Sequence, residues 1–248
     1  MMRFGIIGYP VGHSFSANLF NAKFEQEHID AHYDLFQIDD IKKCLDIFAL
    51  TDMVGVNVTI PYKQTVIPYL DELSDEAKAI GAVNVIHITT IEGKRWLKGY
   101  NTDVIGFRES VRPLLKPWHT KALVFGTGGA SKAVAYGLKQ LGLKVQLVSR
   151  TKQADTMTYG ELTPDIIKQH TVLVNATPLG MSPNVEACVP IDYNAVTSQH
   201  LLYDVVYNPE KTLFLQHGEQ AGATIKNGLS MLEGQAQAAW KIWKINSK

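Results

Sequence analysis

Three polar segments in the first half of the chain carry side chains that could do chemistry on a small molecule. They lie at residues 8–16, 55–63 and 99–103, and packing alone does not explain them. Hydroxyl and amide groups suit a small polyol as ligand, and a single lysine suits acid–base work. The candidate site residues in these segments are Ser14, Ser16, Asn57, Thr59, Lys63 and Asp103.

The same side chains also have structural interpretations. Lys63 follows a proline and a tyrosine and could be a solvated lysine at a helix start. Asp103, Ser14 or Ser16 could cap the helices that follow them, a role compatible with a functional one. His13 is interpreted as a structural loop histidine rather than as a catalytic base.

A glycine-rich turn in the second half of the chain predicts a dinucleotide site. Residues 126–131 follow the continuous apolar run 122–125 and open a helical pattern. Gly126 permits the tight turn, and Gly128 lets the backbone approach a pyrophosphate at the helix start. Ser131 stands where the common fingerprint has Gly or Ala and is still small enough for close packing. Outside this strand–turn–helix context, the glycines would indicate only a tight turn.

The end of the next strand indicates which dinucleotide binds. NAD-preferring proteins usually place Asp or Glu here, about 20 residues beyond the glycines, to bind the ribose 2′-hydroxyl. This chain has Ser149, Arg150 and Thr151 instead. A guanidinium can form two charge-assisted hydrogen bonds with a phosphate. The segment therefore predicts NADP, with Arg150 as the main 2′-phosphate ligand, and the alternative is a solvated basic turn.

Short apolar runs that alternate with helical patterns position these residues and predict an α/β fold with mainly parallel sheets. An apolar stripe at residues 41–49 predicts a core-facing helix, and residues 89–94 predict a hairpin connection. Two prolines within residues 112–117 mark the join between two α/β series. The first series has predicted strands at residues 4–8, 32–37, 54–59, 83–88 and 96–100. The second has them at residues 122–125, 144–148, 172–175, 201–206 and 223–225.

Composition excludes several classes of function. Lys and Arg number 24, as do Asp and Glu, so no net charge recruits nucleic acid or an anionic membrane. No apolar run approaches the roughly 18 residues that span a bilayer, and the N-terminal residues do not resemble a signal peptide, so we expect a cytoplasmic protein. Cys44 and Cys188 lack metal-ligand spacing, and we expect two reduced thiols and no metal.

The polar segments and the glycine turn belong to a longer series of motifs that closely resembles the shikimate dehydrogenase family. The resemblance runs in order from Gly8 to Gln235. It implies NADPH-linked, reversible reduction of 3-dehydroshikimate to shikimate in aromatic amino-acid biosynthesis, by a monomer or a homodimer. The motifs lie at residues 8–16, 57–63, 81–84, 101–103, 126–131, 175–181, 207–209 and 228–235.

The resemblance also implies roles for individual residues. Ser14 and Ser16 would bind the substrate carboxylate, and Tyr207 would lie near that carboxylate or the nicotinamide. Lys63 and Asp103 would form the catalytic pair. The remaining substrate residues implied are Thr59, Asn84 and Gln235 at the ring hydroxyls, with Asn57 in support. The cofactor residues implied are Gly126, Gly128, Gly129, Ala130, Ser131, Ser149, Arg150, Thr151, Asn175, Thr177, Met181 and Gly228.

The chemistry agrees with the implied catalytic pair. Hydride transfer to a ketone carbon develops negative charge on the carbonyl oxygen. A cationic Lys63 would stabilise that charge and could deliver the proton. Asp103 would orient the ammonium group or itself contact the reacting hydroxyl. Sequence does not divide the acid–base role between the two residues, which could titrate as a coupled pair.

The two α/β series predict two lobes with a cleft between them, a common place for ligands. Residues 1–104 and 228–248 would form an N-terminal α/β substrate-binding domain, to which the final helix returns. Residues 105–227 would form a Rossmann-type, doubly wound NADP-binding domain. Three departures from the family pattern bear on affinity more than on the reaction: Ala17 for Pro, Val85 for Thr and Pro178 for Ser.

Three alternative functions stay open at this stage. A quinate or quinate/shikimate dehydrogenase, often NAD-using, is opposed by Arg150 and the Ser14/Ser16 pair. A folate-type methylene dehydrogenase has support only from the dinucleotide unit. A catalytically silent NADP-binding sensor would need neither Lys63 nor Asp103.

Overall fold

The chain divides into two compact units. The structure, a computed structural model, describes residues 1–12 and 14–245, so His13 lies outside the described residues. One unit comprises Met1–Thr102 and the segment that begins at Ala236, and the other comprises Asp103–Gln235. The functional boundaries expected after residues 104 and 227 stay a prediction, because compactness does not show which residues bind a ligand.

The first unit is built on a mixed sheet. Among its described residues, six strands lie in the order β2-β1-β3-β5-β6-β4. Strands β1, β2 and β3 pair in parallel, whereas β3, β5 and β6 pair in antiparallel fashion. The elements are β1 (Met2–Gly8), α1 (Phe15–Gln26), β2 (Ala31–Gln37), α2 (Cys44–Phe48), β3 (Met53–Val58), β4 (Glu72–Leu73), α3 (Asp75–Ile80), β5 (Val85–Ile91) and β6 (Lys94–Tyr100).

The central strands β1 and β3 of this sheet are buried along most of their length, which explains why they are nearly continuous apolar runs. One face packs an aromatic cluster that includes Phe4, Phe20 and Trp243. Trp243 comes from the end of the chain, and its indole nitrogen donates to the carbonyl of Ile86 at 3.0 Å. Gly55 makes this approach possible, because a Cβ atom there would lie 2.3 Å from the Trp243 indole nitrogen.

The second unit is a parallel sheet covered on both faces. Residues 103–235 are all described, and their six strands lie in the order β12-β11-β10-β7-β8-β9, with every pair parallel. The elements are α4 (Asp103–Val111), β7 (Lys121–Phe125), α5 (Gly129–Gln140), β8 (Lys144–Ser149), β9 (Thr156–Thr158), α6 (Pro164–Gln169), β10 (Val172–Asn175), β11 (Leu201–Asp204), α7 (Leu213–Gln220), β12 (Thr224–Lys226) and α8 (Leu229–Ile245), the last of which continues beyond this unit.

This strand order is that of the doubly wound dinucleotide-binding fold. The chain reverses direction across the sheet between β7 and β10, and ligands of such sheets bind beyond the carboxyl ends of the strands at that point. Residues 126–131 follow β7, and residues 176–181 follow β10. The α/β fold with a Rossmann-type unit is therefore confirmed.

Several boundaries differ from the sequence prediction. The helix expected over residues 41–49 is a 3-10 turn, Ile41–Lys43, followed by the short helix α2. The strand expected at residues 83–88 begins at Val85 and runs to Ile91, because it pairs with β6 along its whole length. The strand expected at residues 201–206 ends at Asp204, whose side chain bonds the backbone N–H of Val206 and so turns the chain.

The expected hairpin between β5 and β6 is confirmed. Glu92 and Gly93 both have left-handed backbone conformations, with φ of 50° and 78°, as a tight turn between antiparallel strands requires. No helix within the described ranges 1–12 and 14–245 has both the length and the apolar character to cross a membrane.

Candidate active site

The loop after β1 brings both candidate serines to the start of α1. Ser14 occupies the N-cap position, but its side chain makes no capping hydrogen bond. Its backbone N–H instead bonds the carbonyl of Val11 at 2.9 Å. Ser16 lies in the first turn of the helix and is only 7% exposed. The capping interpretation of Ser14 is therefore not what the structure shows.

A buried amide network lies beside these serines at the end of β3. Asn57 is 5% exposed, and its side-chain nitrogen donates to the carbonyl of Asn84 at 3.2 Å. Its side-chain oxygen accepts a hydrogen bond from the hydroxyl of Tyr33 at 2.7 Å. Burial of the phenol raises the Tyr33 pKa well above its usual value, and the neighbouring Ser16 side chain partly offsets this rise. Tyr33 thus joins two of the predicted site residues.

Asn84 continues this network toward the third polar segment. Its side-chain oxygen accepts from the backbone N–H of Thr102 at 2.6 Å, and its side-chain nitrogen donates to the Thr102 hydroxyl at 3.0 Å. Asn101 donates to the carbonyl of Ala82 at 3.0 Å. These bonds fix the chain immediately before Asp103.

Lys63 lies in the turn region after β3. Its side chain is half-buried, and its carbonyl accepts from the backbone N–H of Val83 at 2.7 Å, which ties the lysine to the residue before Asn84. Thr59, also half-buried, donates its backbone N–H to the carbonyl of Ile7. The first unit therefore brings the lysine backbone and the amide network together.

Asp103 and Gln235 belong to the second unit. Asp103 is the first residue of α4 and is 5% exposed, and Gln235 on α8 is 8% exposed. An acidic side chain in the first turn of a helix is stabilised by the helix dipole.

The glycine turn after β7 has the geometry that a pyrophosphate requires. Gly126 adopts a φ of +111°, and a Cβ atom there would lie 2.8 Å from the hydroxyl of Ser131. Gly128 is the N-cap of α5, and a Cβ atom there would meet nothing within 4 Å. The backbone of this turn thus faces open space at the start of α5. Gly129 and Ala130 are the first residues of that helix and are half-buried.

The three predicted cofactor residues in the turn after β8 differ in exposure. Ser149 is 7% exposed, and its hydroxyl bonds inward to the carbonyl of Thr151. Arg150 and Thr151 are exposed. The positive charge of Arg150 lies near Tyr159, where it lowers a phenol pKa that burial raises. Ser149 therefore stabilises this turn from inside, and Arg150 is the exposed residue of the three that carries a positive charge.

The segment after β10 is held by a network around Asn175. The Asn175 side-chain oxygen accepts from the backbone N–H of Thr177 at 3.1 Å and from its hydroxyl at 2.6 Å. The Thr177 hydroxyl in turn accepts from the backbone N–H of Leu179 at 3.2 Å. The Asn175 side-chain nitrogen donates to Asp204 on the neighbouring strand at 3.0 Å. Met181, at the end of the segment, is 45% exposed.

Two predicted site residues, Tyr207 and Gly228, lie in the chain after β11; the first has a polar side chain and the second has none. Tyr207 is half-buried, and this burial raises its pKa. Gly228 is buried, and a Cβ atom there would lie 2.1 Å from the carbonyl oxygen of Val205. Its backbone N–H donates to the carbonyl of Val206 at 3.1 Å. Gly228 therefore allows close backbone packing behind the carboxyl end of β11.

Comparison with known proteins decides the family. The family model for the shikimate dehydrogenase substrate binding domain matches residues 6–86. The NADP(+) shikimate dehydrogenase of Crocosphaera subtropica is 37% identical over 263 residues, which cover 96% of this chain and 89% of that protein. This chain belongs to the shikimate dehydrogenase family.

Solved structures of the shikimate dehydrogenase family agree over nearly the whole chain. The Thermus thermophilus shikimate 5-dehydrogenase in complex with NADP(H) and shikimate is 31% identical, with a TM-score of 0.84 over 98% of this chain and 93% of that one. A quinate dehydrogenase from Corynebacterium glutamicum in complex with NAD is 27% identical, with a TM-score of 0.84 over 98% and 93% of the two chains. The backbone fold therefore does not by itself distinguish cofactor or substrate within this group.

Sequence reasoning missed two buried polar residues, Tyr33 and Asp204, that hydrogen-bond candidate site residues. Tyr33 lies inside a predicted strand and carries no motif, so its contact with Asn57 gave no local signal. Asp204 lies in the predicted strand 201–206, at the carboxyl end of a parallel strand beside Asn175. An acidic residue in an otherwise apolar strand was the signal that could have identified it.

Proposed function

We propose that this chain is an NADP-dependent shikimate dehydrogenase that interconverts 3-dehydroshikimate and shikimate. The observation that carries the proposal is the similarity to the Thermus thermophilus enzyme in complex with NADP(H) and shikimate, which extends over 98% of this chain. The buried hydroxyl and amide groups of the first unit suit a polyol substrate. The reaction is proposed to serve aromatic amino-acid biosynthesis.

Each proposed substrate-binding residue is assigned to a part of the substrate by the hydrogen bonds that its side chain can make. Ser14 and Ser16 would donate to the substrate carboxylate from the start of α1, where the helix dipole also favours an anion. Thr59, Asn84 and Gln235 would bond the ring hydroxyls, because each can both donate and accept. Asn57 would support this set through its bond to the carbonyl of Asn84, and Tyr207 would contribute a further hydroxyl.

Three features of the second unit suit NADP as its ligand. The left-handed Gly126 turns the chain tightly, and Gly128 leaves open space at the N-terminus of α5, where free N–H groups can hold a pyrophosphate. Arg150 is exposed beside that turn and can pair with a 2′-phosphate. The segment that contains Asn175, Thr177 and Met181 follows the strand next to β7 in the sheet. The other residues proposed to contribute are Gly129, Ala130, Ser131, Ser149, Thr151 and Gly228.

In the proposed mechanism, Lys63 and Asp103 act on the oxygen of the reacting carbon. When bound, NADP exchanges a hydride with that carbon. During reduction, the Lys63 ammonium would stabilise the negative charge that develops on the carbonyl oxygen and supply the proton that this oxygen gains. During oxidation, the same group would take that proton back. Asp103 would keep the ammonium charged and oriented.

The proposal is tested by mixing the purified protein with shikimate and NADP and following NADPH by its absorbance. We expect NADPH to form only when both compounds are present, with an equimolar amount of 3-dehydroshikimate recovered. Binding of NADP without any turnover of shikimate would contradict the proposal and would favour a silent NADP-binding sensor.

A further inference from the structure

Asp204 is a fully buried carboxylate at the carboxyl end of β11. Its side chain is 0% exposed and accepts three hydrogen bonds from the protein. The donors are the side-chain nitrogen of Asn175 at 3.0 Å, the backbone N–H of Val206 at 2.9 Å and the hydroxyl of Thr212 at 2.6 Å. Burial raises the pKa of this carboxyl to about 6, although each of these bonds lowers it.

The first of these bonds orients the Asn175 amide together with a second one, in which the same side-chain nitrogen donates to the carbonyl of Leu179 at 3.1 Å. The Asp204 oxygen that faces Asn175 accepts hydrogen bonds, so the side-chain nitrogen of Asn175 must face it. The Asn175 oxygen then faces the opposite way, where it accepts from the N–H and the hydroxyl of Thr177. The orientation of one amide thereby sets the conformation of the backbone that follows β10.

A carboxylate is energetically unfavourable in this buried position compared with an apolar side chain. Burying a charged or polar group costs free energy, and an apolar side chain of similar size would avoid that cost. The carboxylate adds a fixed pair of acceptors, of which one faces Asn175 and the other faces Thr212. Packing alone therefore does not explain Asp204.

We propose that Asp204 is a positioning residue for NADP, acting through the Asn175 amide on the segment 175–181. This inference rests on the proposed function, because that segment is assigned there to the cofactor. Asp204 itself does not touch the cofactor in this account. Its loss should weaken NADP binding and leave shikimate binding unchanged.

The test compares NADP dissociation constants, measured by calorimetry without substrate. Asp204→Ala should raise the dissociation constant about tenfold, because the Asn175 amide loses a charge-assisted partner. Asp204→Asn should stay within about threefold of the unaltered protein, since an amide oxygen can still accept from Asn175 while its nitrogen donates to the Thr212 hydroxyl. Asp204→Val fills the space without a cavity and takes the place of the alanine variant if that variant does not fold.

Thr212→Val is the matched control. It removes a bond to the same carboxylate on the side away from Asn175, so it should lower the unfolding temperature while changing NADP affinity little. In an Asn175→Ala background, Asp204→Ala should cause no further loss of NADP affinity, because the route through the amide is already broken.

Unchanged NADP affinity in a folded Asp204→Ala or Asp204→Val protein would overturn the inference, as would equal losses in the Thr212→Val control. Additive losses in the double variant would also overturn it. Failure of the proposed function is recognised separately: an unaltered protein that binds NADP but does not oxidise shikimate fails the enzyme assay and still allows this comparison. Absence of NADP binding by the unaltered protein would overturn both.

Discussion

The hydroxyl of Tyr33 donates a hydrogen bond of 2.7 Å to the side-chain oxygen of Asn57, and both residues are buried. The tyrosine ring stacks on Phe20, with ring centroids 4.9 Å apart, so its position is fixed by packing. The bond leaves the Asn57 nitrogen facing the carbonyl of Asn84. A fully buried tyrosine therefore sets which atoms the proposed substrate site presents.

Replacing Tyr33 with phenylalanine should weaken shikimate binding specifically. The ring and its stacking are kept, and only the hydroxyl that satisfies the Asn57 oxygen is lost. A buried acceptor left without a partner costs about 1–3 kcal/mol, and the lower end of that range corresponds to a rise of about five- to tenfold in the KM for shikimate, which is the change we expect. The KM for NADP should stay unchanged in the same steady-state measurement.

Tyr203→Phe is the matched control for this substitution. Tyr203 is as buried as Tyr33, with exposed fractions of 0% and 1%. Its hydroxyl hydrogen-bonds the hydroxyl of Ser110 at 2.7 Å within the second unit. It should lower stability to a similar extent and leave the KM for shikimate alone. An equal rise in that KM in both variants would mean that lost stability, not the Asn57 bond, is responsible.

Lys63→Ala should reduce kcat by about 100- to 10,000-fold, the range for loss of a general acid–base group. Shikimate binding should change little, because the amide and hydroxyl groups of the site are retained. Lys78→Ala is the control, since Lys78 is an exposed lysine of the same unit that pairs with Asp75 on α3. Single-turnover rates and equilibrium binding separate the two effects. A kcat close to normal would remove Lys63 from the mechanism.

Arg150→Ala should lower the preference for NADP over NAD. Charge-assisted hydrogen bonds to a phosphate contribute about 1.5–3 kcal/mol, so we expect NADP affinity to fall about 10- to 100-fold while NAD affinity is unchanged. Lys152→Ala is the control, because Lys152 pairs with Glu161 at 2.7 Å, and this pair together with two hydrogen bonds from Thr158 lowers the pKa of Glu161 to about 2. Equal weakening of both cofactors would show that Arg150 does not bind the 2′-phosphate.

The second unit should lose stability in mild acid through His200. This histidine is 2% exposed, its Nδ1 accepts from the backbone N–H of Thr197 at 3.0 Å, and its Nε2 lies 3.1 Å from the carbonyl of Ile167. Burial lowers its pKa. The unfolded chain, with a histidine pKa of about 6.5, then binds the proton more readily than the folded one.

The stability that neutral His200 contributes is therefore present above about pH 6.5 and is lost as the pH falls through the lower pKa of the folded state. We expect the free energy of unfolding in urea to decrease between about pH 7 and 5, and His200→Gln to make this decrease smaller. His119, His170 and, in the first unit, His87 also have lowered pKa values and should add to this decrease, whereas protonation of Asp204, whose pKa burial raises to about 6, should offset part of it. An identical pH dependence in the variant would contradict the assignment.

Local patterns were sufficient to predict most of the fold. Strand β10 has the bounds predicted for it, and β7 differs by one residue, because buried parallel strands read as continuous apolar runs. Strands β4 and β9 were missed, since they have only two and three residues and form by pairing with distant strands.

The candidate site also has parts that local sequence predicts and parts that it does not. The glycine turn was identified from its spacing between a strand and a helix, and Lys63 and Asp103 from motifs that resemble those of the family. The contacts of Tyr33 with Asn57 and of Asn175 with Asp204 join residues 24 and 29 positions apart. Such pairs depend on which strands become neighbours, and no local pattern specifies that.

The central claim is tested most directly by initial rates of the unaltered protein with four combinations of ligands, namely shikimate or quinate with NADP or NAD. The account predicts that kcat/KM for shikimate with NADP exceeds each of the other three by about tenfold or more, the factor that one charge-assisted hydrogen bond provides. Equal turnover with NAD, or faster turnover of quinate, would contradict it.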